Sequence, residues 1–403
     1  MLTTSLYAFP SDLVAEGVDT VLRRVRERGV DAVTLAVAYH RARDVTPHGP
    51  ARLVHRRDGL FLPHPDELPD IWDGVRLRPP VQDPAEVAAA ARLFELAGPG
   101  GALAWTVFLH NTTLGAEHPD AAGVNCFGDP LRADLCPAHP DAGAYAVALA
   151  RTVVRVTGAP VVAEALSYGT FDHGHHHERC FVPLGDGERA LLGLCFCAHC
   201  RRAVAGQGAD PERLRARIAT HLERALDGAP ATPGEPAALA AAVGDDVVAM
   251  LRARQAVVAA LTGRVADAVH AEGGRLIFLD LTGAVLGYAG GEPAGGPVAV
   301  QGWRLGVDPA ALSGLVDGYA CLAYARDPQR LRADVASVVE AVGGRCPVRV
   351  VLRPGWPDTD DAGHLAGKVA AATLPGVAAV DFYHYGLYPW PVLDRIPAAL
   401  IRD

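Results

Sequence analysis

The chain has 403 residues, is half apolar by count and carries a formal charge of -9 at pH 7, enough sequence to bury a large core within one domain. The acidic balance and the lack of any Lys/Arg-rich run speak against a nucleic-acid partner, and no uninterrupted apolar run reaches the roughly 18 residues of a membrane span. The opening Met1-Leu2-Thr3-Thr4-Ser5 lacks the basic and apolar regions of a secretory signal, so the eight cysteines point to metal binding or chemistry in the cytoplasm rather than to a disulfide framework.

Short apolar runs alternate with helical patterns along the whole chain, which favours a parallel sheet with crossover helices. The first run covers 5–9 and is followed by a helix over 19–28 with Val21, Leu22 and Val25 on one face. The second, 32–39, ends in Tyr39-His40 and opens a Pro-rich loop. Asp83-Pro84 then reads as an N-cap with proline at the first helical position. The third run, 102–109, ends in His110-Asn111, and a long loop with Asn125, Cys126 and Cys136 follows. A helix over 142–156 leads to the fourth run, 160–166, which carries Glu164. Helical sequence then dominates 201–272, broken by the Pro/Gly-rich stretch 228–236. The remaining runs are 275–281 with Asp280, 318–324, 348–352 followed by Arg353, and 378–383 followed by His384 and Tyr385.

Eight runs separated by helices predict a single-domain (β/α)8 TIM barrel over 1–403, with 201–272 as a helical elaboration after strand 4. A doubly wound open sheet is the alternative, weakened because no Gly-x-Gly-x-x-Gly follows the first run. In a barrel the strand ends share one face, where active sites are built. That face would gather Tyr39, His40, His110, Asn111, Glu164, Asp280, Tyr324, Arg353 and Tyr383. Tyr168, Asn125, Tyr385 and Trp356 lie in the adjoining loops, as do Trp303, Trp390 and Tyr388. Flat rings there suit the apolar face of a sugar, with polar neighbours for its hydroxyls.

Cys195-x-Cys197-x-x-Cys200 offers three soft ligands within one turn-like segment. Structural zinc takes four, and the fourth is expected from Cys136, with Cys126, Cys180 or His199 as substitutes. The run holding His173, His175, His176, His177 and Glu178 lacks the helical His-Glu-x-x-His spacing, so a solvated loop, or sugar-hydroxyl contacts through His173 and His175, is expected rather than a metal.

Leu135-Cys136-Pro137, then Pro140 and Tyr145, then Glu164 ending the fourth strand, then the Cys195–Cys200 segment followed by Arg201-Arg202, occur in an order that resembles the glycoside hydrolase family 42 beta-galactosidases and related glycoside-hydrolase-like barrels. The resemblance covers residues 135–202. It implies a structural zinc on Cys136, Cys195, Cys197 and Cys200, Glu164 as general acid/base, and a homo-oligomer. Two departures stand out: Ala163 replaces the family's Asn before the acid/base, and the seventh strand, which in the family ends in the nucleophilic Glu, reads Val348 to Arg353 here with no carboxylate.

The expected function is a glycoside-hydrolase-like activity on a carbohydrate or glycoside, with Asp280 as the best second carboxylate and Asp381 as a structural partner of Arg353 or Arg349. An acid pair roughly 6.5–9.5 Å apart would invert and a closer pair would retain. The alternatives are a carbohydrate-binding barrel that has lost its nucleophile, or a lyase or isomerase on a sugar-like molecule.

Overall fold

The computed structural model describes residues 2–172, 179–287 and 290–400. Eight parallel strands form the framework: β1 (Thr3–Ala8), β2 (Ala32–Tyr39), β3 (Ala102–Val107), β4 (Val161–Glu164), β5 (Leu276–Asp280), β6 (Gly318–Leu322), β7 (Val348–Leu352) and β8 (Val377–Phe382). Each pairs with its sequence neighbours, and β1 pairs with both β2 and β8, so the sheet closes. This is the (β/α)8 barrel, and the open doubly wound alternative is excluded.

The strands are short apolar runs because both their faces are covered. Every residue of β2, β3, β5 and β6 is buried, which a strand between a filled barrel and a helical jacket requires. Local signals set the helix limits. Asp83 accepts a hydrogen bond from the Ala85 amide at 2.8 Å and starts α1 (Pro84–Ala97). Gly158 ends α2 (Pro140–Thr157) at φ 62°, in the left-handed region that glycine enters without strain.

Among the described residues after β4 the chain builds five helices before it returns: α3 (Asp186–Leu192), α4 (Ala198–Gly206), α5 (Pro211–Leu226), α6 (Pro236–Val243) and the long α7 (Asp246–Ala271). They enclose an apolar cluster of their own, including Leu214, Ile218, Leu222, Leu239 and Met250. The stretch between α5 and α6 is pinned by Glu188, whose buried carboxylate accepts from the Thr232 amide and contacts His221 Nε2, each at 3.0 Å.

Inside the barrel a polar plug lies below the C-terminal mouth. Arg349 donates to both oxygens of Asp381 at 2.9 and 2.7 Å, and Ser5 Oγ, bonded to Thr34, donates to the same carboxylate at 2.8 Å. All four residues belong to barrel strands, and Asp381 is 2 % exposed. The buried charge is acceptable because each oxygen has its donors. This gives Asp381 a structural task with Arg349.

Candidate active site and cysteine centre

Glu164 ends β4 with its side chain half-buried. Its Oε2 accepts a hydrogen bond from Trp105 Nε1 at 2.5 Å. Burial pushes the carboxyl from its ordinary value up to about 7, while the Trp105 donor and the nearby His110 act in the opposite direction. The next residue, Ala165, has φ 53°, a left-handed conformation that costs a residue with a Cβ about 1 kcal/mol or more. Backbone bonds from Phe108 to the Glu164 carbonyl and from Leu109 to the Ala165 carbonyl hold that turn in place.

Aromatic rings surround the carboxyl. Trp105 meets Tyr7, Tyr39 and Tyr383 at ring-centroid separations of 5.1, 4.9 and 5.9 Å. Tyr39 stacks on His40 at 4.3 Å, and His40 meets the edge of His110 at 4.7 Å. His110 Nδ1 contacts Asp134 Oδ1 at 2.8 Å. Burial pulls this imidazole down, but the charges of Asp134, Glu164 and Asp58 outweigh it and leave it raised above its ordinary value. Asp134 sits directly against Gly169, where a Cβ would lie 2.1 Å from its carboxylate oxygen, so a larger residue there would displace the Asp134 carboxylate. Across the mouth Arg353 lies 4.2 Å over the Tyr324 ring, and Tyr324 faces Tyr383 at 6.4 Å. Asp358 fixes Arg353 Nε at 2.5 Å and is itself held by the buried Lys368 at 2.6 Å.

Several expected residues have other tasks. Asp280 is not brought to Glu164. The register pairs Val162 with Ile277 and Ala163 with Phe278, so Asp280 shares the outward face of Ala163, away from Glu164. Its Oδ1 accepts from the Thr282 amide and hydroxyl at 2.9 and 2.6 Å, and its Oδ2 from Tyr319 OH at 2.8 Å. It is a fully buried anchor for the following loop. Asn111 spends its Oδ1 on the Leu114 amide, capping a helix over Thr112–Glu117. Asn125 folds its own turn through the amides of Phe127 and Asp129. Tyr385 is fully buried, with its hydroxyl on Glu16 at 2.6 Å. Tyr168 is buried under Arg254, with its hydroxyl 3.4 Å from Cys200 Sγ. Trp356 is 79 % exposed. Trp303 and Trp390 are covered by Arg304 and Arg24, at 4.9 and 4.4 Å from the ring centroids. His173 and His175 lie outside the described residues.

The structure adds residues that sequence reading passed over as strand core. Tyr7 in β1 and Trp105 in β3 have the inward parity, and Phe9 carries His384 at 4.1 Å. His384 is buried, and burial, with the charges of Arg56 and His48, holds its imidazole well below its ordinary value. Strand alternation could have found Tyr7 and Trp105; nothing local marks Asp134. Trp105→Phe tests the floor of the site. Losing the donor to Glu164 removes a bond that favours the carboxylate, so any activity that needs the protonated acid should extend to higher pH, by up to about one unit in the alkaline limb of kcat/KM.

Cys136, Cys195, Cys197 and Cys200 come together with all four sulfurs within 4.8 Å of one another. Cys136 Sγ lies 3.5, 3.6 and 3.7 Å from the sulfurs of Cys200, Cys197 and Cys195. These separations are far too long for disulfides. They match the edges, about 3.8 Å, of a tetrahedron with metal–sulfur bonds of about 2.3 Å. Backbone amides point at the sulfurs: Val124 and Cys197 at Cys195 (3.4 and 3.5 Å) and Cys200 at Cys197 (3.4 Å). N–H donors of this kind favour thiolates over thiols, so the donor set fits a metal ion. Of the substitutes, Cys126 is buried in the apolar cluster of the extra helices, Cys180 is exposed and His199 packs on His139 at 4.7 Å.

No protein-family model matches the chain, and no curated protein matches its sequence. Among the described residues no helix is long and apolar enough to cross a membrane. Solved structures do match. The catalytic domain of beta-amylase from Paenibacillus polymyxa aligns at 12 % identity and a TM-score of 0.54 over 99 % of this chain and 97 % of its own. Alpha-L-fucosidase isoenzyme 2 from Paenibacillus thiaminolyticus aligns at 12 % identity and a TM-score of 0.52 over 99 % of this chain, which spans about half (49 %) of that protein. At this identity the likeness is one of fold: the chain has a barrel of the kind these glycoside hydrolases use.

Proposed function

We propose that this protein is a glycoside-hydrolase-like enzyme acting on a carbohydrate or glycoside, with Glu164 giving its proton to the leaving oxygen. The observation that carries the reading is the Glu164 carboxyl itself, pushed up to about 7 at the end of β4 amid aromatic rings. A group with that value is protonated often enough near neutrality to act as an acid and can take the proton back as a base. Tyr39, His40, His110, Tyr324, Arg353 and Tyr383 are the residues we assign to the sugar. The tetrahedral cysteines, drawn from Cys136 and residues 195–200 on either side of Glu164 in the chain, support kinship with the family 42 beta-galactosidases. The lack of a carboxylate along β7 and at Arg353 sets this chain apart, so beta-galactosidase activity is not proposed.

The charged group that acts on Glu164 is His110, whose Nδ1 in turn contacts Asp134 at 2.8 Å. The attacking group in a hydrolase would then be water or a neighbouring group of the substrate. The same observation favours a second reading, a lyase or isomerase on a sugar-like molecule in which His110 shares the proton transfers. Incubation with a panel of aryl glycosides and oligosaccharides separates them. Released sugar, with its anomer read by NMR, supports the hydrolase. An unsaturated or isomerised product replaces it with the second reading, and saturable binding without turnover removes both.

We assign the cysteine centre to zinc in a structural role, because four thiolates leave no open position for water. A reducing cytoplasm suits eight unpaired thiols. We take residues 1–403 as one domain, with 201–272 elaborating its β4–β5 connection.

A further inference from the structure

Among the described residues, Arg254 is a buried cation with no carboxylate paired to it. It projects from α7 and is 2 % exposed. Its Nη2 donates to the Arg304 carbonyl at 2.9 Å, its Nε meets no acceptor, and no ion pair reaches it among the described residues. Its guanidinium lies 4.3 Å over the ring of Tyr168, whose hydroxyl is 3.4 Å from Cys200 Sγ. The groups that work to keep the charge on Arg254, against its burial, are Tyr168 and the sulfurs of Cys200, Cys195 and Cys136.

A lone charge withdrawn from water needs an opposite charge nearby. Four neutral thiols supply none. A divalent ion held by four thiolates carries a net charge of about -2 within a buried cluster. Each site solves the other's problem. We propose that Arg254 is the counter-cation of the loaded cysteine centre and retains the metal through the face of Tyr168. It is a positioning residue for the ion and has no catalytic part. The assignment rests on the metal reading given above. It carries a consequence that reading lacks: Arg254 favours the folded chain when the metal is present and disfavours it when the metal is gone.

The test uses the full chain as wild type, Arg254→Met and Arg254→Lys. Zinc per chain is measured by elemental analysis, transfer of zinc to a chromophoric chelator is timed, and melting is recorded before and after stripping. Arg254→Met should lose zinc about ten- to a hundredfold more readily than wild type, the range for an outer-sphere partner of a metal ligand. Arg254→Lys, which keeps the charge, should stay within about threefold on the same scale. Loaded Arg254→Met should melt below loaded wild type, and stripped Arg254→Met above stripped wild type. If Arg254→Met does not fold, Arg254→Gln carries the same comparison. Zinc-loaded wild type with unchanged retention in the neutral variants, or with Arg254→Lys as leaky as Arg254→Met, overturns the Arg254 assignment alone. Wild type that purifies without stoichiometric metal and takes up none on addition sinks the metal reading and this inference together.

Discussion

Cys197→Ser is expected to purify with little or no bound metal and to lose roughly 3–5 kcal/mol of unfolding free energy, a fraction of the ~10–16 kcal/mol that zinc supplies to small zinc-dependent folds. The reason lies in what the ion ties together. Cys136 precedes α2, whereas Cys195, Cys197 and Cys200 lead into α4, and Cys197 Sγ also accepts the Cys200 amide. One tetrahedral centre therefore joins the β3–β4 connection to the start of the helical elaboration. With one ligand gone, three crowded thiolates repel each other and prefer to take up protons. Stripping wild type with a chelator should reproduce the loss, and chelator should hardly alter the variant. Wild type and Cys197→Ser with equal metal content and equal denaturant midpoints would remove the centre from the account of stability.

Glu164→Gln is expected to keep the fold and to lower kcat/KM by about a hundred- to ten-thousandfold, the contribution of a positioned general acid. Wild-type kcat/KM should fall as pH rises through about 7, where the carboxyl gives up its proton. Stability supplies a second readout with a definite sign. The folded value, about 7, lies above the ordinary 4.5. Between the two, the folded chain holds a proton that the unfolded chain has released. Wild type therefore loses stability as pH rises through that window, and the full cost is reached above about 7. At about 1.4 kcal/mol per unit, and reduced because the side chain keeps some access to water, the cost is about 2 kcal/mol. Glutamine carries no such cost. Relative to wild type, Glu164→Gln should gain about that much between roughly pH 4.5 and pH 8. An unchanged kcat/KM would take Glu164 out of the chemistry, and a difference in stability that stays flat with pH would show that the carboxyl titrates normally.

By itself the sequence determined the barrel. Eight continuous apolar runs at helix-sized intervals admit few other solutions, because strands buried on both faces cannot alternate with polar residues. It also determined that Cys195, Cys197 and Cys200 belong together, since two- and three-residue spacings hold sulfurs close in almost any turn, and it marked Glu164 as a carboxylate at a strand end. Side-chain direction was not legible. Asp280 and Glu164 both end strands, yet the register turns one outward and the other inward, a difference of one residue that apolar runs do not encode. Asn111, Asn125, Tyr168 and Tyr385 have residue types suited to sugars, but they spend their polar atoms on nearby backbone, on Glu16 or beside the cysteines. Only the tertiary structure decided that Trp105 touches Glu164, 59 positions away, and that Arg254 faces the cysteines through Tyr168. Such contacts arise when distant strands and helices close on each other, and burial then turns them into shifts of charge that no local pattern records.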